Sequence, residues 1–160
     1  MTIDKNNNSI HPTSIIYPNV ILGKNNLIGP YCVLGYPGAI RDFVKYEGRV
    51  VIGDNNNFMN YVSIMIGKEG DTIIGNSNLI MNYVNIGHNV FIGNENEIGV
   101  GAILGGHCSI HNNTKIKLNC TIRTFVNIRN NSLVGMGSNV VEDVPESQTV
   151  YGNPAKIKIK

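Results

Sequence analysis

The sequence predicts an all-β fold: a parallel β-helix of many short strands stacked in successive coils. Two compositional facts and one periodicity predict it. Asn, Ile, Gly and Val number 25, 23, 18 and 15 and fill half of the 160 residues. Ile and Val favour strands, whereas Asn and Gly favour tight turns. Ala and Leu together number only ten, too few good helix formers for a helical bundle or for long crossover helices. The periodicity is a hexapeptide. Stepping by six from Ile74 meets Ile80, Ile86, Ile92, Ile98, Leu104, Ile110, Ile116, Ile122, Ile128, Val134 and Val140. The same step runs through Ile10, Ile16, Leu22, Ile28 and Leu34, and again through Ile52, Phe58 and Ile64. Gly often follows the aliphatic residue, and a small residue such as Cys32, Val62, Ala102 or Cys120 stands two before it. A fixed short period of this kind is the signature of a β-helix.

Two breaks interrupt the step. Leu34 to Ile52 is 18 residues and Ile64 to Ile74 is 10, so one hexad each leaves insertions of 12 and 4. With those insertions removed, Asn26, Asn56, Asn78 and Asn96 fall 18 apart, and Thr114 and Ser132 continue the column. A column every 18 residues means three hexads per coil, and its amides are placed to bond along the solenoid axis. Residues 1–160 thus form one domain of about seven coils, with loops near 36–49 and 66–72 and a short C-terminal tail at 145–160.

The three sides follow in order. Side A carries Ile10, Ile28, Phe58, Ile80, Ile98, Ile116 and Val134. Side B carries Ile16, Leu34, Ile64, Ile86, Leu104, Ile122 and Val140. Side C carries Leu22, Ile52, Ile74, Ile92, Ile110 and Ile128. Both insertions leave the corner between B and C. That corner holds Gly87-His88-Asn89 in coil four, Gly105-Gly106-His107 in coil five and Arg123-Thr124-Phe125 in coil six. Loops on a rigid scaffold concentrate binding residues, so the functional site is expected there. The hexapeptide pattern resembles that of the left-handed β-helix acyltransferases, and the acyl transfer from a thioester that this implies needs a base for the incoming hydroxyl or amine and donors for the oxyanion. His88 suits the first task, and a backbone N–H beside Gly105 or Gly106 suits the second, because no Cβ blocks the approach.

Asn78-Leu79-Ile80-Met81 through Ile86-Gly87-His88, together with Leu104-Gly105-Gly106-His107, resemble the UDP-N-acetylglucosamine acyltransferases of the left-handed β-helix (hexapeptide-repeat) acyltransferase family. Ile10-His11-Pro12-Thr13 and Ile28-Gly29-Pro30-Tyr31-Cys32 are similar to that family's opening coils. The resemblance implies left-handed triangular coils, His88 as general base and Gly106 as the oxyanion donor. Asp42-Phe43-Val44-Lys45-Tyr46-Glu47-Gly48 resembles the family's Asp-x-Lys-Tyr-x-Gly loop with one extra residue. It implies that Asp42 orients His88 and that Lys45 and Tyr46 meet the substrate, together with His107 and Arg123.

Three departures accompany the resemblance. The chain stops where the family's helical domain would begin. It ends in Tyr151-Gly152-Asn153-Pro154-Ala155-Lys156, similar to the close of coenzyme-A-dependent hexapeptide acetyltransferases. Arg123 stands where the family has a further His. The implied reaction is acetyl transfer from acetyl-CoA to a nucleotide-linked sugar or amino sugar, with Gly105, Asn153 and Lys156 toward the cofactor. The alternative donor is an acyl carrier protein, with UDP-N-acetylglucosamine as acceptor. The resemblance also implies a homotrimer with sites between subunits, to which outward Ile21, Val51, Ile73 and Phe91 on side C would contribute an apolar stripe.

Other classes fit less well. A net charge of +2 is too weak for nucleic-acid binding. The polar start MTIDKNNNS is not a signal peptide, no apolar run approaches a membrane span, and three Cys at inward positions suggest reduced thiols; a cytoplasmic protein is expected. His11 reads as structural and His111, at the C–A corner, as surface. The β-helix carbonic anhydrases bind zinc with three His, one five residues after another; here Gly93 stands five after His88, and no metal site is expected. An ice-binding solenoid would show a flat Thr array, which the sequence lacks.

Overall fold

The computed structural model describes residues 1–37 and 46–158. Three sheets run along one solenoid. The ten-stranded sheet is side A, running from Thr2–Ile3 and Ser9–Ile10 to Thr149–Gly152 and Ala155–Ile157. The seven-stranded sheet is side B, from Ile15–Ile16 to Asn139–Val140, and the six-stranded sheet is side C, from Val20–Leu22 to Asn127–Ile128. Every coil-to-coil pairing is parallel and offset by one coil, as in Ile80 between Phe58 and Ile98, or Ile86 between Ile64 and Leu104.

Two-residue strands form here because burial, and not strand length, stabilises them. The inward aliphatic residue of each hexad from Ile28 to Val140 is at most 2% exposed. Each buried side chain of this size contributes roughly 1.5–3 kcal/mol relative to exposure. Ile10, Ile16 and Leu22 in the first coil are only partly buried, because no coil lies beyond them. Cys32, Cys108 and Cys120 fill the small inward position as buried free thiols.

The C–A corner is held by asparagine. The Oδ1 of Asn26 accepts from both the backbone N–H and the Nδ2 of Asn56, at 2.9 and 3.0 Å; Asn56 does the same for Asn78 at 2.9 Å each. Asn8 starts the column one coil before Asn26, and Thr114 ends its run of amides by donating its N–H to Asn96. A second, exposed ladder runs Asn76, Asn94, Asn112 and Asn130 beside it. Asn also supplies the corner's left-handed backbone, with φ of 61°, 57° and 60° at Asn7, Asn25 and Asn55, where its short side chain tolerates that conformation. The A–B corner fills the equivalent position with Tyr31, Tyr61 and Tyr83, whose rings stack 5.0 and 4.9 Å apart.

The two insertions leave where the spacing requires. Strand Val33–Pro37 shifts register against Ser63–Ile66 between Leu34 and Tyr36, and this bulge carries the chain off side B into the long loop, which returns at Val50–Ile52. The short loop joins Ser63–Ile66 to Thr72–Ile74 at the same corner. The segment after 145 is more than a tail. Thr149–Gly152 pairs in parallel with Leu133–Val134 and turns back into Ala155–Ile157, so the closing residues extend side A. Val144 and Val150 carry the buried column past Val140, through a side shortened to four residues.

Candidate functional site

The B–C corner brings His88, Gly106 and His107 together, as their spacing requires. Coil four places His88 two residues past Ile86, and coil five places Gly106 at the same position past Leu104, against the His88 ring. A Cβ on Gly106 would lie 2.8 Å from His88 Nε2 and 2.9 Å from Cε1, so the imidazole occupies the space a side chain would fill. A Cβ on Gly87 would lie 2.8 Å from the Gly106 nitrogen, so glycine there keeps that N–H uncovered. Among the described residues the Gly106 N–H meets no backbone acceptor, whereas the Gly105 N–H donates to the Ile122 carbonyl at 2.9 Å. Of the two glycines, only Gly106 has an amide proton to spare.

His107 continues the corner with φ 62°, and its N–H donates to the His88 carbonyl at 2.9 Å. Its ring stands perpendicular to that of His88 at 5.1 Å and stacks on Phe125 at 4.7 Å. The short loop closes the other wall. Lys68, Glu69, His88, Asn89 and His107 line an open cavity of about 320 Å³.

Asn89 sets the His88 proton. Its Nδ2 donates to the Glu69 carbonyl at 2.7 Å, which can only accept, so Oδ1 must be the atom 2.9 Å from His88 Nδ1. An amide oxygen only accepts, so Nδ1 carries a proton, and in the neutral ring the lone pair falls on Nε2. Nε2, the ring nitrogen on the Gly106 side, is then the atom at which the neutral form of His88 accepts a proton.

The remaining predicted residues are placed differently. Asp42 and Lys45 lie outside the described residues. Tyr46 is half-buried against the hydrophobic core. Arg123 is exposed at the same corner one coil beyond His107 and is not a cavity-lining residue. Asn153 accepts from Asn139 Nδ2 at 3.1 Å, and Lys156 reaches Glu142 at 3.3 Å. Lys156 lines a second cavity of about 320 Å³ at the last coil, with Val140, Glu142, Val144 and Ala155. That is three coils from His88, roughly 14 Å at the ordinary strand spacing, so the structure does not join the closing segment to the His88 cavity within one chain. His11 bonds Thr13, and His111 lies beside Arg129 at the C–A corner. Burial pushes the Cys108 thiol, next to His107, up to about 12. Among the described residues no three His, Cys, Asp or Glu side chains group as metal ligands, and no helix is long and apolar enough to cross a membrane.

Sequence reasoning missed Asn89 and Lys68. One Asn among 25 gave no signal, and Lys68 sits in a loop whose length, not its content, drew notice.

Comparison with known proteins agrees with this architecture. Residues 5–36 match the family model described as bacterial transferase hexapeptide (six repeats). The acyl-[acyl-carrier-protein]–UDP-N-acetylglucosamine O-acyltransferase of Ectopseudomonas mendocina is 34% identical over 121 residues, covering 72% of this chain and 47% of the relative. The enzyme of that name from Rickettsia canadensis is 39% identical over 64 residues, 36% of this chain and 24% of the relative. The chain thus spans less than half the length of these curated relatives. Among solved structures, the UDP-N-acetylglucosamine acyltransferase of Bacteroides fragilis superposes with a TM-score of 0.91 at 28% identity, covering 94% of this chain and 60% of that one. That of Campylobacter jejuni gives 0.88 at 25% identity, covering 96% and 61%. With its repeat, its three parallel sheets and these neighbours, the chain is a hexapeptide-repeat protein with the left-handed β-helix fold, similar along its length to the UDP-N-acetylglucosamine acyltransferases.

Proposed function

We propose that the protein is an acyltransferase that moves an acyl group from a thioester to a nucleotide-linked amino sugar at the B–C corner. The observation that carries this reading is the pairing of a Nδ1-protonated His88 with the uncovered Gly106 N–H beneath it. The acceptor hydroxyl or amine gives its proton to His88 Nε2 as it attacks the thioester carbonyl. The Gly106 N–H stabilises the oxyanion of the tetrahedral intermediate. Collapse of that intermediate breaks the C–S bond, and the imidazolium returns the proton to the departing thiolate. The similarity to UDP-N-acetylglucosamine O-acyltransferases supports the acceptor class.

The donor has two readings. The curated relatives use an acyl carrier protein by name. The closing Gly152-Asn153-Pro154-Ala155-Lys156 segment favours acetyl-CoA, reached by Asn153 and Lys156 from a neighbouring subunit in a homotrimer whose contact face includes half-exposed Ile21, Ile73 and Phe91. Incubating the protein with a panel of UDP-linked amino sugars and either acetyl-CoA or acyl-loaded carrier protein, read by mass spectrometry, tests both. Light scattering tests the trimer. Acylation from neither donor would remove the proposal.

A further inference from the structure

We propose that Asn89 is a positioning residue that fastens the short loop, residues 66–72, to the base, so that loop order and the His88 tautomer are set by one side-chain amide. It deepens the acyltransferase reading, yet both of its consequences are measurable without substrate.

Asn89 makes three attachments. Its Oδ1 faces His88 Nδ1 at 2.9 Å, its Nδ2 donates to the Glu69 carbonyl at 2.7 Å, and its N–H donates to Thr72 Oγ1 at 2.9 Å. Thr72 is fully buried and passes the contact on to the Met65 carbonyl at 2.7 Å. The middle and the end of the loop are thus tied to the residue that follows the base. Gly67 lies against the same amide: a Cβ there would collide with Asn89 Oδ1, so glycine lets the loop close over it. The loop's outer side is held separately, by the Arg49–Asp71 ion pair at 2.8 Å and by the Glu47 N–H on the Lys68 carbonyl at 3.0 Å. What the closed loop brings to the cavity is Lys68, a cation beside the imidazole and suited to an anionic part of the acceptor such as a phosphate.

The amide does what neither a carboxylate nor a methyl can do. A carboxylate at 89 accepts from Nδ1–H but cannot donate to the Glu69 carbonyl, so it holds the tautomer and frees the loop. A methyl does neither. Asn89→Asp and Asn89→Ala therefore separate the two roles.

The test is ¹⁵N NMR on the full chain at alkaline pH, on the neutral imidazole. Wild type is expected to show His88 protonated at Nδ1 and rigid amides at Lys68–Gly70, with order parameters near ~0.85. Asn89→Asp keeps the Nδ1–H form while the loop order parameters fall toward ~0.6; Asn89→Ala loses both, and the Nε2–H form appears. An Nε2–H signal in wild type overturns the proposal, and it needs no variant to fold. So does Asn89→Asp with an unchanged loop, or Asn89→Ala with Nδ1–H retained alone. If these signatures hold while no nucleotide sugar is acylated, the acyltransferase reading fails and the positioning role stands.

Discussion

The His88 imidazole lies over Gly106, so close that a methyl group on Gly106 would sit 2.8 Å from Nε2. His88 and Gly106, the proposed base and oxyanion donor, are therefore one packed unit from consecutive coils. Gly106→Ala must push the ring aside. The clash is with a side chain and not with backbone, so the fold should survive. A displacement of about 1 Å at the reacting centre costs on the order of 10²-fold in rate. Steady-state kinetics should show that loss in kcat with little change in melting temperature; an unchanged kcat would separate the glycine from the chemistry.

Removing His88, the proposed base, discriminates the acceptor atom. General base catalysis contributes roughly 10²–10⁴-fold. His88→Ala should lose that much turnover with a hydroxyl acceptor, and less with an amine, which needs less help to attack. Comparing the variant on hydroxyl- and amine-bearing nucleotide sugars checks this, and equal losses on both would contradict it.

The two asparagine ladders should differ in their worth. Asn56 is fully buried, and its loss strands the Asn78 N–H and the Gly75 carbonyl. A buried polar group left unpaired costs about 1–3 kcal/mol. Asn112 sits in the exposed ladder, where water takes over the bonds its amide makes to Asn94 and Asn130. Denaturant titration should therefore find Asn56→Ala far more destabilising than Asn112→Ala. Similar values would mean that burial does not set the strength of the column.

Cys108 makes alkaline stability fall. Burial holds its thiol protonated to about 12, above its ordinary value of 9.0. Below pH 9 folded and unfolded chains both carry the proton, so this group gives no pH dependence. Between 9 and about 12 the unfolded chain releases a proton that the folded one keeps, and stability declines. Unfolding followed across that window should show a shallower decline in Cys108→Ala than in wild type. Identical slopes would remove Cys108 as the cause.

The scaffold was legible because its constraint repeats. Ile86 is buried for the same reason as Ile64 and Leu104, so the period identifies all three, and the 18-residue Asn column gives both insertion lengths. The site was legible only where residues break the period. His88, Gly106 and His107 share a corner as their numbering requires. Asn89 was hidden by the composition itself: asparagine is the scaffold's usual corner residue, and only the Glu69 carbonyl opposite Nδ2 distinguishes this one. Lys156 illustrates the converse. Its motif is visible in the chain, but the shortened last coil and the closing hairpin put it roughly three coils from the base. Hexad spacing does not encode contacts beyond one coil, nor contacts made by a neighbouring subunit.

The most direct test pairs wild type with His88→Ala on UDP-linked amino sugars and either thioester donor, with products read by mass spectrometry. Wild type should form the acylated nucleotide sugar, and the variant, folded and at equal concentration, should form little or none from a hydroxyl acceptor. Acylation at the wild-type rate in the variant, or no acylation by wild type from either donor, would contradict acyl transfer at the B–C corner.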